Sequence, residues 1–358
     1  MTQLKTSLLA LCIVLSTSVY SQAPKYSNEF LGIGVGSQAI SMGGAFSAQA
    51  NDVTSGYWNP AGLALIKGNM QIAAMHSEYF AGIAKYDYGA VAAAVDATTT
   101  VGVTALRFAI DDIIDSTDLL DKDGNINYDR LKTFSAADYA FLFSFAKKTK
   151  KEGLRVGGNA KIIHRKVGDF AKAWGFGLDA GVQYDAGKWR LAAVGKDITS
   201  TFNAWSYNTE NLKEVFAQTN NEIPENGLEI TLPRLILGAA CKTKLGKSFS
   251  FTPELDVDIT FDGKRNVPIK SDPVSVDPRL GMEFGYSDFV FIRLGAQNTQ
   301  VIKEIDQSTS VLIQPNFGVG LRLKNLYIDY ALTNGLLTSH VFTVKLAIFK
   351  QKNATQVQ

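Results

Sequence analysis

The segment from Asp121 to Lys132 carries oxygen ligands at a spacing that suggests a chemistry. Asp121, Asp123 and Asn125 stand at the first, third and fifth positions, as the ligands of a calcium-binding loop do. Glycine falls at the fourth position instead of the sixth, and Lys132 occupies the twelfth, where such loops have glutamate. Residues 121–129 therefore allow two interpretations, a calcium site and a solvated, turn-forming loop.

Other groups of reactive side chains predict no cofactor. The glycines of segment 32–36 alternate as in a phosphate-binding loop, but no strand and βαβ unit surround them. His76, His164 and His340 fall in separate segments, which argues against a zinc site. No nucleophile–base spacing and no isolated carboxylate pair stands out. The sequence thus predicts a protein without enzymatic activity, cofactor or metal, apart from the open question at residues 121–129.

The N-terminal segment and the cysteine content indicate an exported chain. The 358 residues carry a formal net charge of +2, so nothing indicates nucleic acid as a partner. Residues 1–21 combine a lysine, an apolar core and small residues before Gln22, which predicts a secretory signal peptide. Its removal leaves Cys241 alone, so no intramolecular disulfide can form. The stability of the chain must come from a large core or from a membrane.

From Gly68 onward, polar and apolar residues alternate over long stretches, which predicts β-strands. In segment 248–261 one face is apolar (Phe249, Phe251, Leu255, Val257, Ile259, Phe261) and the other is polar (Ser248, Ser250, Thr252, Glu254, Asp256, Asp258). Such strands exceed the mean of about five or six residues in soluble sheets and match the roughly nine to eleven that cross a bilayer. Full charges along the polar face suit a wet lumen, and aromatic residues near strand ends suit membrane interfaces. An exported soluble β-protein is the alternative.

Lumenal charges on neighbouring strands are better explained as an ion network than as an acid–base pair. The residues concerned are Asp256, Asp258, Arg279 and Glu283.

Fourteen strands are predicted, at about 69–80, 83–95, 100–110, 134–147, 153–166, 172–185, 188–197, 233–244, 248–261, 276–287, 289–299, 312–323, 325–333 and 338–350. Tight turns alternate with connections that include the long loops 111–133, 197–232, 262–275 and 300–311, as in an up-and-down transmembrane barrel. An even strand number places both mature termini in the periplasm, with outer-membrane lipid around the barrel.

Residues 22–66 precede the first strand and are too few to fold alone, so we expect them to form a small helical plug inside the lumen of the barrel. Small residues such as Gly43 and Gly44 allow close packing against the wall. Asp52 is a predicted helix N-cap, and Pro60 prevents a regular helix from continuing through Asn59. The predicted divisions are a signal peptide at 1–21, a plug at 22–66, a barrel at 67–350 and a polar periplasmic tail at 351–358.

Four short blocks in this region support a resemblance to a known family. They are GVGSQA at 34–39, MGGAF at 42–46, ND at 51–52 and YWNPAGL at 57–63. In this order they resemble the PorV/PorQ family of Bacteroidota outer-membrane proteins, which is similar to the FadL long-chain fatty-acid transporters. The resemblance implies a plugged 14-stranded barrel beside the type IX secretion system, without enzymatic activity. The matching plug motif is Asp52, Trp58, Asn59, Pro60 and Gly62. Asn59, Pro60 and Gly62 allow two interpretations, a tight turn that fixes the plug and a ligand contact.

Two main functions follow as hypotheses. In the first, the barrel docks partner proteins, either a secretion-channel subunit or exported cargo, through the loops at 111–133 and 197–232. In the second, it is a FadL-like conduit for a hydrophobic ligand such as a long-chain fatty acid, and the plug gates the lumen. The charged lumenal faces favour docking, because a conduit needs an apolar pocket. An open porin is a weaker alternative, because a plug leaves little aperture.

Overall fold

The computed structural model describes residues 27–119, 125–209, 213, 225–303, 307–335 and 338–350. The predicted signal peptide, the tail 351–358 and the first ligands of the predicted calcium loop, Asp121 and Asp123, lie outside the described residues. Within them, seventeen strand segments form one sheet. Because two of the strands are interrupted, these segments make fourteen antiparallel strands.

The strands are labelled in chain order. They are β1 Met70–Tyr79, β2 Ala84–Ala94, β3 Thr99–Asp115, β4 Lys132–Lys148, β5 Leu154–Val167, β6 Ala171–Ala186, β7 Trp189–Lys196 with Thr201–Tyr207, β8 Gly227–Thr231 with Arg234–Cys241 and Thr243–Leu245, β9 Phe249–Thr260, β10 Ser275–Tyr286, β11 Val290–Lys303, β12 Thr309–Leu323, β13 Leu326–Asn334 and β14 Thr338–Ile348. Each strand pairs with the next, and β1 pairs with β14 from Met70↔Ile348 to Glu78↔His340, which closes the barrel. The predicted transmembrane up-and-down β-barrel of 14 strands is confirmed.

The alternation of side chains accounts for the two faces of the wall. On β4, Phe141, Phe143 and Phe145 are exposed on the outside, whereas Leu142 and Ala146 are buried inside. Outer apolar side chains face lipid, and inner ones meet the plug. None of the helices within the described ranges is long and apolar enough to cross a membrane.

One end of the barrel, the turn end, carries tight connections such as the one between β6 and β7. The other end, the loop end, carries the long connections. Two predicted loops are shorter than expected because the strands continue into them. β3 extends to Asp115 and β4 begins at Lys132, so the loop predicted at 111–133 starts and ends inside strands. Likewise, β11 and β12 reach into the loop predicted at 300–311.

The prediction of a loop at 197–232 is wrong for a different reason. β7 resumes at Thr201 after a four-residue interruption, and β8 already begins at Gly227. The interruption, Asp197–Ser200, breaks the alternation and therefore makes the strand seem to end. Asp197 and Ser200 both adopt positive φ, and the Ile198 amide still donates to the Leu178 carbonyl of β6. The segment is thus a bulge within the wall.

Residues 27–66 lie inside the barrel. They contain a 3₁₀-helix Glu29–Gly32, the short helices α1 Ser37–Ser41 and α2 Ser55–Trp58, and a 3₁₀-helix Pro60–Leu65. The largest buried apolar cluster joins plug residues such as Val35, Phe46 and Trp58 to wall residues such as Met75 and Leu106. The core of the molecule is therefore the plug–wall interface.

Candidate functional site: the plug in the lumen

The turn at Asn59 and Pro60 is fully buried against the wall. Helix α2 ends at Trp58, Asn59 is extended, and the next 3₁₀-helix begins at Pro60, as the sequence predicted. The Asn59 side chain accepts a hydrogen bond from the Ala61 amide at 3.1 Å, and its Nδ2 donates to the Ser47 carbonyl at 3.0 Å and to Val182 of β6 at 3.3 Å. One side chain therefore caps a helix, closes the plug loop and binds the wall.

Paired glycines make room for this turn. Gly157 of β5 and Gly181 of β6 face each other in the sheet. A Cβ on Gly181 would lie 2.2 Å from Asn59 Oδ1, and one on Gly157 would lie 2.5 Å from the Ala61 nitrogen. The two glycines leave the wall without side chains at this point, and any larger residue would push the plug away from it.

Close approach recurs within the plug and at a second wall contact. A Cβ on Gly62 would lie 2.2 Å from the Ala50 carbonyl oxygen. Gly43, at φ +66°, presses on β11, where a Cβ on Gly295 would lie 2.1 Å from the Gly43 nitrogen. The small plug residues therefore let the backbone of the plug lie directly on the wall, as the sequence predicted.

Trp58 lies at the centre of the plug. Its indole Nε1 donates to the Val35 carbonyl at 2.8 Å, and its ring packs edge-on against Tyr57 at 5.0 Å. The buried Lys196 ammonium of β7 lies 4.2 Å from the Tyr57 ring centre, so a cation–π contact joins plug and wall. Burial raises the pKa of Tyr57 to about 12.

Asp52 is not the N-cap of α2. The N-cap is Thr54, and Asp52 Oδ1 instead accepts hydrogen bonds from the Thr54 amide at 2.8 Å and hydroxyl at 2.6 Å. This side-chain turn competes with capping because Asp bonds readily to the backbone two residues on. The other oxygen, Oδ2, lies 2.7 Å from the Lys345 ammonium of β14. Burial acts to raise the pKa of Asp52, but the Lys345 charge and these hydrogen bonds prevail and hold it below its ordinary value.

Two carboxylates of β9 bind the plug loop. Asp256 accepts hydrogen bonds from the amides of Phe46 at 3.1 Å and Ser47 at 3.0 Å and from the Ser47 hydroxyl at 2.8 Å. Glu254 accepts from the amides of Ala48 at 2.7 Å and Gln49 at 3.1 Å. Backbone donors that no helix satisfies are thus bound by buried side chains.

The remaining lumenal charges form ion networks. Asp258 pairs with Arg279 at 3.0 Å and with Arg234 at 3.3 Å, as the sequence predicted for this face. Glu283 belongs to a separate network through Arg293 at 2.7 Å. Asp258 and Arg293 are buried between plug and wall, so the charged faces line a filled lumen and not a wide aqueous one.

Three cavities surround the first 3₁₀-helix of the plug, and Gly32 lines each of them. The first, of about 280 Å³, lies at the loop end and is lined on one side by Ile33, Ile40, Tyr79 and Phe80. The second, of about 390 Å³, is polar and lined by arginines and carboxylates of β8 to β10. The third, of about 50 Å³, reaches the β7 bulge.

A buried ion cluster holds that bulge. The Lys161 ammonium of β5 contacts Asp179 at 2.7 Å and Asp197 at 2.5 Å. Asp179 also accepts the Asp197 amide at 2.9 Å, and Thr201 donates to Asp197. This ion cluster therefore fixes the β7 bulge from the lumenal side of the wall.

The structure brings Trp58, Asn59, Pro60 and Gly62 of the predicted plug motif together, with Asp52 nearby at the Lys345 contact. Sequence reasoning missed the partners on the wall: Gly157, Gly181, Glu254 and Gln183, whose Nε2 donates to Ala50 at 2.8 Å. The signal that could have revealed them is glycine at lumen-facing strand positions, where a barrel wall otherwise has larger residues.

Comparison with solved structures identifies the fold. The CymD monoaromatic hydrocarbon channel matches with a TM-score of 0.55 and 13% identity, over 89% of this chain and 98% of that chain. The toluene transporter TodX of P. putida matches with 0.55 and 13%, over 89% and 99%. A Pseudomonas aeruginosa FadL homologue matches with 0.51 and 10%, over 87% and 97%. This chain has the fold of FadL-type outer-membrane barrels. No protein-family model and no curated protein matches the sequence.

Proposed function

We propose that the protein is a FadL-like outer-membrane conduit for small hydrophobic molecules, with its loop end outside the cell and both termini in the periplasm. The observation that carries this proposal is the cavity between the plug and the end of β1. Its apolar side consists of Ile33 and Ile40 from the plug and Tyr79 and Phe80 from the wall. The fold shared with the CymD hydrocarbon channel and the toluene transporter TodX supports the same function.

The size and lining of the cavity limit the ligand. A volume of about 280 Å³ is just below the usual range of ligand pockets, about 300–1,000 Å³. Arg279, Gln297 and Asn298 line its other side. These features favour a compact ligand with one polar end over a long extended chain.

We propose a route through the barrel from the apolar pocket to the β7 bulge. Gly32 lines the apolar pocket, the charged cavity and the cavity at the bulge, so the three lie side by side around the first 3₁₀-helix. The ladder between β2 and β3 is continuous from Ala84↔Ile110 to Ala94↔Thr100, whereas β7 is interrupted at Asp197–Ser200. We therefore place the lateral exit at the bulge. The plug does not have to leave the lumen for such a path.

Equilibrium binding of radiolabelled p-cresol and toluene to the purified full chain tests this proposal. Ile33→Asp places a charge in the apolar pocket and is expected to weaken binding at least tenfold. Ile83→Asp is the matched control, because Ile83 lies on the exposed hairpin tip outside the pocket. Absence of saturable binding, or equal binding by both variants, would refute the conduit.

A second candidate function is protein docking in association with the type IX secretion system. It is favoured by the hairpin of β3 and β4, whose strands have 17 residues each, against 10 in β1 and 11 in β2. The hairpin therefore extends further at the loop end than its neighbours. Mass spectrometry of material extracted gently from the native membrane tests docking. A stoichiometric secretion-channel subunit or exported cargo, lost when residues 113–133 are replaced by a short turn, is the supporting result; no protein partner is the opposing one.

A further inference from the structure

At the turn end of the lumen, three cations surround one aromatic ring. The Arg322 guanidinium carbon lies 5.3 Å from the centre of the Tyr327 ring, the Lys345 ammonium 5.6 Å and the Lys67 ammonium 5.9 Å. An aromatic face attracts each cation, but three cations that share one ring also repel one another. Lys242 of the β8 strand lines the same cavity.

Carboxylates offset only part of this charge. Lys345 pairs with Asp52 at 2.7 Å, and Arg322 pairs at 3.3 Å with Asp288, whose side chain is 73% exposed. An ion pair with so exposed a carboxylate is weak because water and salt screen it. Among the described residues, no carboxylate lies within ion-pairing distance of Lys67 or Lys242. Lys67 and Lys242, both exposed to solvent, therefore line the cavity without an ion pair among the described residues. The carboxylates Asp52, Glu283 and Asp288 also line it.

The direction of the pKa shift of Lys67, which lies before β1 and outside the membrane-spanning strands, is consistent with this description. Partial burial, followed by repulsion from Arg322, lowers the pKa of Lys67 below its ordinary value. The Asp288 carboxylate acts to raise this pKa, whereas Lys242 and Lys345 act to lower it. The local potential is thus positive, and a bound anion would relieve it.

The space between these groups fits a small anion. The cavity has about 110 Å³, whereas a water molecule occupies about 30 Å³ in the liquid. It lies between the plug residues Asn51 and Gln38 and the wall. The Asn51 amide lies beside the cations, whereas the Gln38 amide already donates to Glu283 at 3.1 Å. Arginine offers paired N–H donors to an oxyanion, and lysine adds compact charge.

We propose that this cavity binds a phosphate group between Lys67, Lys242 and Arg322. Lys67 follows the plug, whereas Lys242 and Arg322 belong to β8 and β12 on the wall. The bound anion would therefore link the exit of the plug to the barrel and hold the plug in place. The phosphate could be inorganic or the headgroup of a lipid, since both present the same oxygens at the turn end. The site is independent of whether the barrel conducts hydrophobic molecules.

Calorimetric titration of the purified full chain with inorganic phosphate, in non-ionic detergent and chloride buffer, tests the site. We expect saturable binding that weakens at least tenfold in Lys67→Ala and in Lys242→Ala. Lys247→Ala is the control, because Lys247 is an exposed lysine in a neighbouring turn outside the cavity. Equal phosphate affinity in all four proteins would overturn the proposal.

A second measurement distinguishes the two sources of phosphate. The protein is reconstituted in phosphatidylglycerol nanodiscs, released, and examined by native mass spectrometry. One retained lipid that is absent from Lys67→Ala identifies the headgroup as the occupant, even where inorganic phosphate binds weakly. Phosphate binding in detergent without a retained lipid identifies the free anion. If the native protein binds neither phosphate nor lipid, the site does not exist.

Discussion

The Asp256 carboxylate on the wall binds Ser47 in the plug twice, through the Ser47 amide at 3.0 Å and the hydroxyl at 2.8 Å. Both residues are almost fully buried. The backbone of the plug loop therefore depends on a wall side chain for hydrogen bonds that, in a helix, its own carbonyls would provide. This relationship makes the plug a part of the barrel core that can be tested one contact at a time.

Removing this carboxylate should destabilise the plug. Asp256→Ala leaves the buried amides of Phe46 and Ser47 without an acceptor, and each unsatisfied group costs about 1–3 kcal/mol. We expect the free energy of unfolding in detergent to fall by about 3 kcal/mol. Asp256→Asn keeps one acceptor oxygen and should lose less. Urea unfolding followed by tryptophan fluorescence measures both, and equal stability of Asp256→Ala and the native protein would contradict the anchoring role.

Gly181→Ala should displace the turn at Asn59. The added Cβ would lie 2.2 Å from Asn59 Oδ1, and overpacking of this kind costs about 1–3 kcal/mol. The matched control is Gly89→Ala in β2, where a Cβ would meet nothing within 4 Å. Limited proteolysis should cut the plug faster in Gly181→Ala only. Equal cleavage of both variants would show that the glycine pair does not position the plug.

The ion pair between Asp52 and Lys345 should make plug stability depend on pH. Because the pKa of Asp52 is lower in the folded protein than in the unfolded chain, the unfolded chain takes up the proton first as pH falls. The stabilisation is fully present above the unfolded pKa of about 3.9 and is lost as pH falls through the lower folded value.

The measurement is unfolding by urea at several pH values for the native protein, Asp52→Asn and Asp169→Asn. The native protein should exceed Asp52→Asn in stability above about pH 4, and the difference should vanish in stronger acid. Asp169, which is 92% exposed in its side chain, provides the control, whose curve should follow that of the native protein. A constant difference between the native protein and Asp52→Asn at every pH would argue against the ion pair.

Asp197→Ala should loosen the β7 bulge without opening the rest of the strand. The substitution removes one of the two carboxylates that hold the buried Lys161, and breaking a buried pair commonly costs about 3–5 kcal/mol. Hydrogen exchange should accelerate at residues 197–201 and stay slow at residues 189–196, which remain paired with β6 and β8. Asp185→Ala at the turn end is the control, with exchange at the bulge unchanged. Uniform acceleration along β7 would mean that the cluster supports the whole wall and not the bulge alone.

Much of the barrel could be predicted because strand patterning is local. Alternation along β9 and β10 predicts which side chains face lipid, and the fourteen predicted strands all occur. The boundaries were less reliable where a local feature disrupted the period. At Asp197–Ser200 the bulge ended the pattern early, although hydrogen bonds to β6 carry the strand onward. Similarly, polar residues at Asp111 and Asp115 suggested a loop, because strand extensions beyond the membrane no longer need an apolar face.

The plug motif shows more clearly which contacts the sequence alone cannot predict. That Pro60 ends the helix before Asn59 follows from the proline ring alone. The role of Asp52 does not follow, since its partner Lys345 lies 293 residues away, and capping and ion pairing require the same carboxylate. Sequence likewise predicted an ion network on β9 and β10, but only the structure separates Asp258, which pairs with arginines, from Asp256, which binds the plug.

By itself, the sequence determined the class of the protein: a plugged transmembrane barrel with a polar inner face, since alternation, strand length and turn chemistry all act between near neighbours in the chain. The tertiary structure decided what the inner face does. Whether a lumenal charge faces water, another charge or a plug amide depends on which strand lies opposite it and how closely the plug approaches. The contact of Gly157 and Gly181 with the plug, and the cavity that Lys67 and Lys242 line, form only when the barrel closes around the plug.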